Sequence, residues 1–351
     1  MTSWAASSMG AAGCLAARAS RGPARGARDV CVAGAGGPRA GGLRFDAHVH
    51  VWAPEAERGS TYAMNAANLP PAGMDGSAEA LCAHLEANKV QGALLVQSSS
   101  HGFDPSYVDA VVARHPGRFK VMGLADPEYG ATPMRCAAQL GLMREKGYVG
   151  VRFNPALFAG QRDAGVGMAG ERALELFRQA GRLGMVVGYM LPEGYAAHAK
   201  EVESLLNIQA AVYSPRGTEK TTVILDHFGF AQGLDGPDWQ AMAKLADDER
   251  VIIKASALFR GPGKGKEWPY KDAHKMLKEA VRLFGKDRVM WGTDWPWVDA
   301  ECGYGKAWSL LDEIDDEDDA LTQEEWNAVL GENAARLFGF QPGMARLLRS
   351  A

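Results

Sequence analysis

The sequence predicts an α/β fold, a single (β/α)8 TIM barrel with one extra helix at its C-terminal end. Three observations carry that prediction. Eight short apolar runs alternate with stretches of helical periodicity. The repeating units extend from residue 43 to about residue 314, the size expected of an eightfold barrel. No G-x-G-x-x-G or Walker glycine loop follows any run, which weighs against the alternative of a doubly wound open sheet.

In chain order the candidate strands are Leu43–Val51, Gly92–Gln97, Phe119–Ala125, Val149–Phe153, Met185–Met190, Thr222–His227, Val251–Ala255 and Arg288–Thr293. Helical patterns between them include Ser77–Asn88, Glu171–Leu183, Trp239–Asp247 and Tyr270–Phe284. Strands separated by helices of this length imply βαβ units and a parallel sheet. The closing helix, Gln323–Leu337, gathers Trp326, Val329, Leu330, Ala334 and Leu337 on one side and is expected to pack on the outside of the barrel. Residues 41–351 are therefore expected to form one domain.

The first forty residues belong to another kind of sequence. They hold five Arg, no Lys and one acid, a net of 5 − 1 = +4, among twelve Ala, seven Gly and four Ser. Such Arg-rich, acid-poor N-termini read as transit peptides, expected to be disordered. The expected destination is the chloroplast, with the mitochondrion or the cytosol as alternatives. Removing them leaves 33 basic and 41 acidic residues, a net of −8. No dense basic stripe marks a nucleic-acid binder, and no run of about 18 apolar residues marks a membrane span. The five cysteines form no C-x-x-C pair and no disulfide framework. The expected partner is a small molecule; oligomeric state is not legible.

In such barrels the reactive groups stand where the strands end. The first strand ends Asp46-Ala47-His48-Val49-His50-Val51-Trp52, and period-2 alternation points His48 and His50 the same way, into the mouth. The fourth carries Arg152, the sixth Asp226-His227, the seventh Lys254-Ala255-Ser256, and the eighth Thr293-Asp294-Trp295-Pro296. Each has a plainer reading. Asp294 could cap a helix, His227 could bond a backbone carbonyl in the core, Lys254 could bridge to Asp226, and Arg152 could be structural. A buried carboxylate such as Asp294 needs a partner in any case. Gathered at one rim, these residues make a site.

The ordered set Asp46-x-His48-x-His50-x-Trp52, Gly150-x-Arg152-Phe153-Asn154, Asp226-His227-Phe228-Gly229, Lys254-x-Ser256 and Gly292-Thr293-Asp294-Trp295-Pro296 resembles the amidohydrolase superfamily. So does the closing Glu332-Asn333-Ala334-x-Arg336-Leu337-Phe338. The likeness covers about residues 43–340 and is strongest to the amidohydrolase-related lactonase branch of 2-pyrone-4,6-dicarboxylate and 4-sulfomuconolactone hydrolases. It implies a barrel that hydrolyses a cyclic ester, with His48, His50 and His227 polarising the carbonyl and Asp294 as general base for water. The sequence departs from the metal-dependent pattern at the fifth strand, where Val186–Glu193 contains no His. That favours no cofactor. Zinc remains allowed, because His48, His50 and Asp294 would supply three ligands.

Lactone hydrolysis needs an activated water and a stabilised oxyanion. Arg152, Lys254, Arg260 and Trp52 are expected to bind the substrate, the cations by charge-assisted bonds to an anionic substituent. The long loop 53–76, residues 156–170 and the basic glycine-rich run Arg260–Lys266 leave strands at the same rim. The acidic run Asp312–Asp319 reads as a solvated connector. Two other functions fit the same residues: a metal-dependent hydrolase or decarboxylase of this superfamily, and a catalytically silent binding barrel. Bound zinc would mark the first; inertness of a folded protein to lactones would mark the second.

Overall fold

A computed structural model describes residues 42–159, 167–211, 220–260, 268–313 and 319–341. The expected transit segment 1–40, the basic run after Arg260 and most of the acidic run lie outside the described residues. Eight parallel strands follow one another in chain order around a sheet: β1 Phe45–Val49, β2 Gly92–Val96, β3 Phe119–Leu124, β4 Tyr148–Phe153, β5 Val186–Tyr189, β6 Val223–Leu225, β7 Val251–Ser256 and β8 Val289–Gly292. Each falls on one of the eight predicted runs. Helices cover the outside, among them Ala78–Ala87, Glu171–Arg182, Pro237–Ala243 and Lys271–Phe284. Ser77 starts the first by accepting the Ala80 N–H, which satisfies one of the helix's otherwise unpaired donors. Among the described residues, no helix is long and apolar enough to cross a membrane.

The ring closes beyond the regular strands. Asp294 donates its N–H to His48 O (2.9 Å), and His50 donates to Trp295 O (2.6 Å), with a parallel bridge between Val49 and Trp295. The seam of the barrel is thus made by the residues predicted to react. β1 bulges between Asp46 and Val49. Ala47 joins the cluster inside the barrel, whereas Val49 joins the layer between sheet and helices. The bulge turns His48 to the interior and leaves Asp46 between β1 and β8, off the face that strict alternation would give it.

The barrel interior changes character as the strands rise. Phe45, Ala47, Leu94, Val96, Met122, Val186, Ile224, Ile252 and Met290 form a dry floor. Two residues further along β6 and β7 the inward positions are Asp226 and Lys254, both fully buried. The closing helix is broken: Gln323–Asn327 and Asn333–Phe338 are α-helical, and Ala328–Glu332 between them is a π-turn. It seals the N-terminal end of the barrel. Asn333 donates to Lys286 O and Val289 O at the start of β8, and Phe340 stacks on Phe45 at 4.4 Å.

Candidate active site

Two layers of polar groups stand above the apolar floor. In the lower one Asp226 accepts from Arg152 Nε (2.8 Å) and pairs with Lys254 Nζ (3.1 Å). Lys254 also lies 3.3 Å from His48 Nδ1, and Asp226 Oδ1 lies 3.4 Å from the same nitrogen. Burial alone would raise the Asp226 carboxyl; Lys254, His48 and Arg152 outweigh it and hold it well below the usual carboxylate range. Burial lowers the Lys254 ammonium, against the pull of Asp226.

The upper layer is the mouth. His48 Nε2 and His50 Nε2 are 3.3 Å apart, and Asp294 Oδ1 stands 3.6 Å from the first and 3.1 Å from the second. Gly292, without a side chain, makes room for them: a Cβ there would lie 2.8 Å from His48 Cβ. Arg260 grips the other carboxylate oxygen, Asp294 Oδ2, through Nε (3.0 Å) and Nη2 (2.9 Å). Burial would raise Asp294; Arg260, His227 and His50 together hold it well below the usual range.

His227 follows β6 in a left-handed backbone that continues through Phe228, Gly229 and Phe230, with φ of 54°, 54°, 60° and 58°. Asp294 at 62° and Ala257 at 52° share that conformation. It costs a non-glycine residue of the order of 1–2 kcal/mol, so the strain of this fold gathers at the exits of β6, β7 and β8. His227 accordingly reaches over the mouth, its ring 4.6 Å from that of His48. Ser256 Oγ accepts the His227 N–H (3.3 Å) and sits 2.8 Å from Nδ1. Donation of the Ser256 hydrogen to Nδ1 would leave the imidazole proton on Nε2. Burial pushes His227 down to about 3, against Asp294 and Asp226, and holds His48 well below the imidazole range. Both are neutral near pH 7.

Protonation then constrains the centre. His50 Nδ1 is 2.8 Å from Val96 O, and a carbonyl can only accept, so Nδ1 carries a proton and the ring is held with Nε2 toward Asp294. Asp294 Oδ1 is buried and has no hydrogen-bond donor. His48 Nε2, His50 Nε2 and Asp294 Oδ1 converge on one point. Their separations match the edges of a tetrahedron around a zinc ion, about 3.3 Å for metal–ligand distances near 2.0–2.1 Å. Each histidine also has a second partner behind it, Asp226 or Val96 O, as metal-bound histidines do. Among the described residues this is the group of three ligands able to share an ion.

With that geometry in hand, comparison with known proteins is decisive. The amidohydrolase family matches residues 45–340. The chain belongs to the amidohydrolase family. It is 26% identical over 304 residues to the 4-sulfomuconolactone hydrolase of Hydrogenophaga intermedia, spanning 84% of this chain and 88% of that one. A solved structure of a Pseudomonas putida protein assigned as 2-pyrone-4,6-dicarboxylic acid hydrolase is similar, with TM-score 0.65, 23% identity, and 85% and 98% of the two chains covered. A Burkholderia multivorans amidohydrolase with bound zinc gives TM-score 0.63 at 22% identity, covering 85% and 100%.

In this amidohydrolase the structure brings His48, His50, His227, Asp294 and Arg260 to one mouth, with Arg152 and Lys254 on Asp226 in the layer beneath. Trp52 stands to one side, buried under the 53–76 loop with its ring 5.8 Å from Trp297. Asp294 caps no helix, and His227 bonds Ser256 rather than a carbonyl. Lys254 makes the bridge to Asp226 that its plainer reading described, at 0% exposure. Sequence reasoning gave no role to Asp46, which accepts from His48 N (3.1 Å), Thr293 N (3.0 Å) and Thr293 Oγ1 (2.7 Å). Nor did it single out His101, which accepts the Ala53 N–H (3.1 Å) and donates to Ala63 O (2.8 Å), tying the long loop down. Asp46 stood inside the motif that drew attention to His48. His101 carried no signal, because its contacts join two loops.

Proposed function

We propose that this amidohydrolase opens a small anionic lactone, a cyclic carboxylic ester, by attack of water at the mouth formed by His48, His50, His227 and Asp294. The observation that carries the reading is the convergence of His48 Nε2, His50 Nε2 and Asp294 Oδ1, 3.1–3.6 Å apart, at the barrel's reactive end. The lactone named in its 4-sulfomuconolactone hydrolase relative supports the substrate class.

Asp294 Oδ1, kept ionised and oriented by Arg260, takes the proton of the attacking water and returns it to the ring oxygen as the C–O bond breaks. His227, with its proton on Nε2, donates to the carbonyl oxygen as negative charge develops there. His50, anchored through Nδ1 to Val96 O, presents Nε2 to the same mouth beside Asp294. Arg152 and Arg260 hold the anionic substituent with their remaining N–H groups. Lys254, enclosed behind His48, orients the imidazole rather than touching substrate. A carboxylate held far below neutral pH is a weak base for water. Zinc on His48, His50 and Asp294 would supply the missing activation, by lowering the pKa of water and polarising the carbonyl.

Asp294→Asn is expected to fold normally and to lose at least about a hundredfold in turnover, the scale of general-base catalysis. Chelation of the wild type is expected to lower activity, and zinc to restore it. Activity indifferent to chelation would leave Asp294 as the sole activator of water, the form the missing fifth-strand histidine favours. Near-normal turnover by Asp294→Asn would contradict both forms.

A further inference from the structure

The seam that closes the barrel depends on a side chain the proposed chemistry does not use. Asp46 is fully buried. Its Oδ1 accepts the backbone N–H groups of His48 (3.1 Å) and Thr293 (3.0 Å), and its Oδ2 accepts the Thr293 hydroxyl (2.7 Å). The Thr293 hydroxyl in turn accepts the Trp295 N–H at 3.2 Å. Thr293 and Trp295 flank Asp294, and Asp294 holds its left-handed backbone, φ 62°, only while its neighbours are held. The remaining seam bonds, Asp294 N to His48 O and His50 N to Trp295 O, run between the same short segments.

Resting on the proposed function for its consequence, we propose that Asp46 is a positioning residue: with Thr293 it sets the distance between the two β1 histidines and Asp294 and fixes the Asp294 backbone. A carboxylate is required because three donors meet on it where it is fully buried. An asparagine of the same shape would turn its NH2 group toward the Thr293 hydroxyl. That hydroxyl would then have to accept from it, and would lose the acceptor it now donates to. Asp46, fully enclosed at the seam, acts through His48, Thr293 and Asp294.

The test is a set of full-length variants, Asp46→Asn, Thr293→Ser, Thr293→Val and Asp46→Asn/Thr293→Val, each read in two ways. Crystal structures of wild type and Asp46→Asn measure the gap between His50 Nε2 and Asp294 Oδ1, now 3.1 Å. It is expected to open in the variant while the barrel floor is unchanged. In lactone hydrolysis, kcat of Asp46→Asn is expected to fall about 10–100-fold, the usual scale for residues behind a reacting centre, with KM within about twofold. Thr293→Ser should keep wild-type kcat, Thr293→Val should match Asp46→Asn, and the double variant should be no worse than either single one. An unchanged gap, or kcat losses that multiply in the double variant, overturns the proposal. If wild type opens no lactone, the functional reading falls, and the crystal structures still decide the role of Asp46.

Discussion

Burial fixes the protonation of individual side chains at this centre before any substrate arrives. His227 is pushed from 6.5 to about 3, so between those values the unfolded chain binds a proton that the native site refuses. Stability is therefore lost as pH falls through that window. Asp226 and Asp294, held below their ordinary 3.8, add their loss only at lower pH. Asp46, raised to about 6 chiefly by burial, works in the opposite direction between about 6 and 3.8. His227→Gln is thus expected to flatten the decline of melting temperature between pH 6 and 4. An unchanged slope in thermal unfolding across that range would contradict a neutral His227 in the fold. At this scale the histidines and Asp294 were legible because polar residues ending apolar runs are conspicuous. Asp46 and Ser256 stood in the same motifs, but their roles were not legible, since their partners lie on other strands and, for Asp46, beside a bulge that breaks period-2 reasoning.

At the scale of elements, hydrophobic period carried the reading well wherever one face was buried. All eight strands and the Glu171–Arg182 and Lys271–Phe284 helices fall where that period placed them. It could not show the break in the closing helix, which answers to a contact from outside the segment. The π-turn carries Gly331 against the chain just before β1: a Cβ there would stand 2.3 Å from Leu43 O and 2.5 Å from its carbonyl carbon. Both are backbone atoms, which cannot swing aside. Gly331→Ala is expected to cost about 1–3 kcal/mol, as overpacking does, and to lower the melting temperature by several degrees while leaving the mouth intact. A wild-type melting temperature would contradict so close an approach. The left-handed run His227–Phe230 was equally illegible, because only one of its four residues is a glycine.

Across the whole molecule, the barrel separates stability from chemistry along its axis. The closing helix and the apolar floor seal one end, and the charged layers occupy the other. Arg152, Lys254 and Arg260 stand there among Asp226, Asp294 and Asp46, three cations against three carboxylates, and of these six Arg260 is the one appreciably exposed. That guanidinium at the rim of a low-dielectric cleft draws in small anions, although the whole chain carries a net charge of −4. The fold was legible because eight apolar runs recur between helices, and the family because motifs stand in order at five of the eight strand ends. The charge balance was not, because it depends on which side chains are buried together. The most direct test is hydrolysis by the full-length protein of a matched set of lactones, anionic and neutral, beside an acyclic ester. The account predicts that an anionic lactone is opened to its hydroxy acid with the highest kcat/KM of the set. Preference for the neutral or acyclic esters, or no hydrolysis by a correctly folded protein, would contradict it.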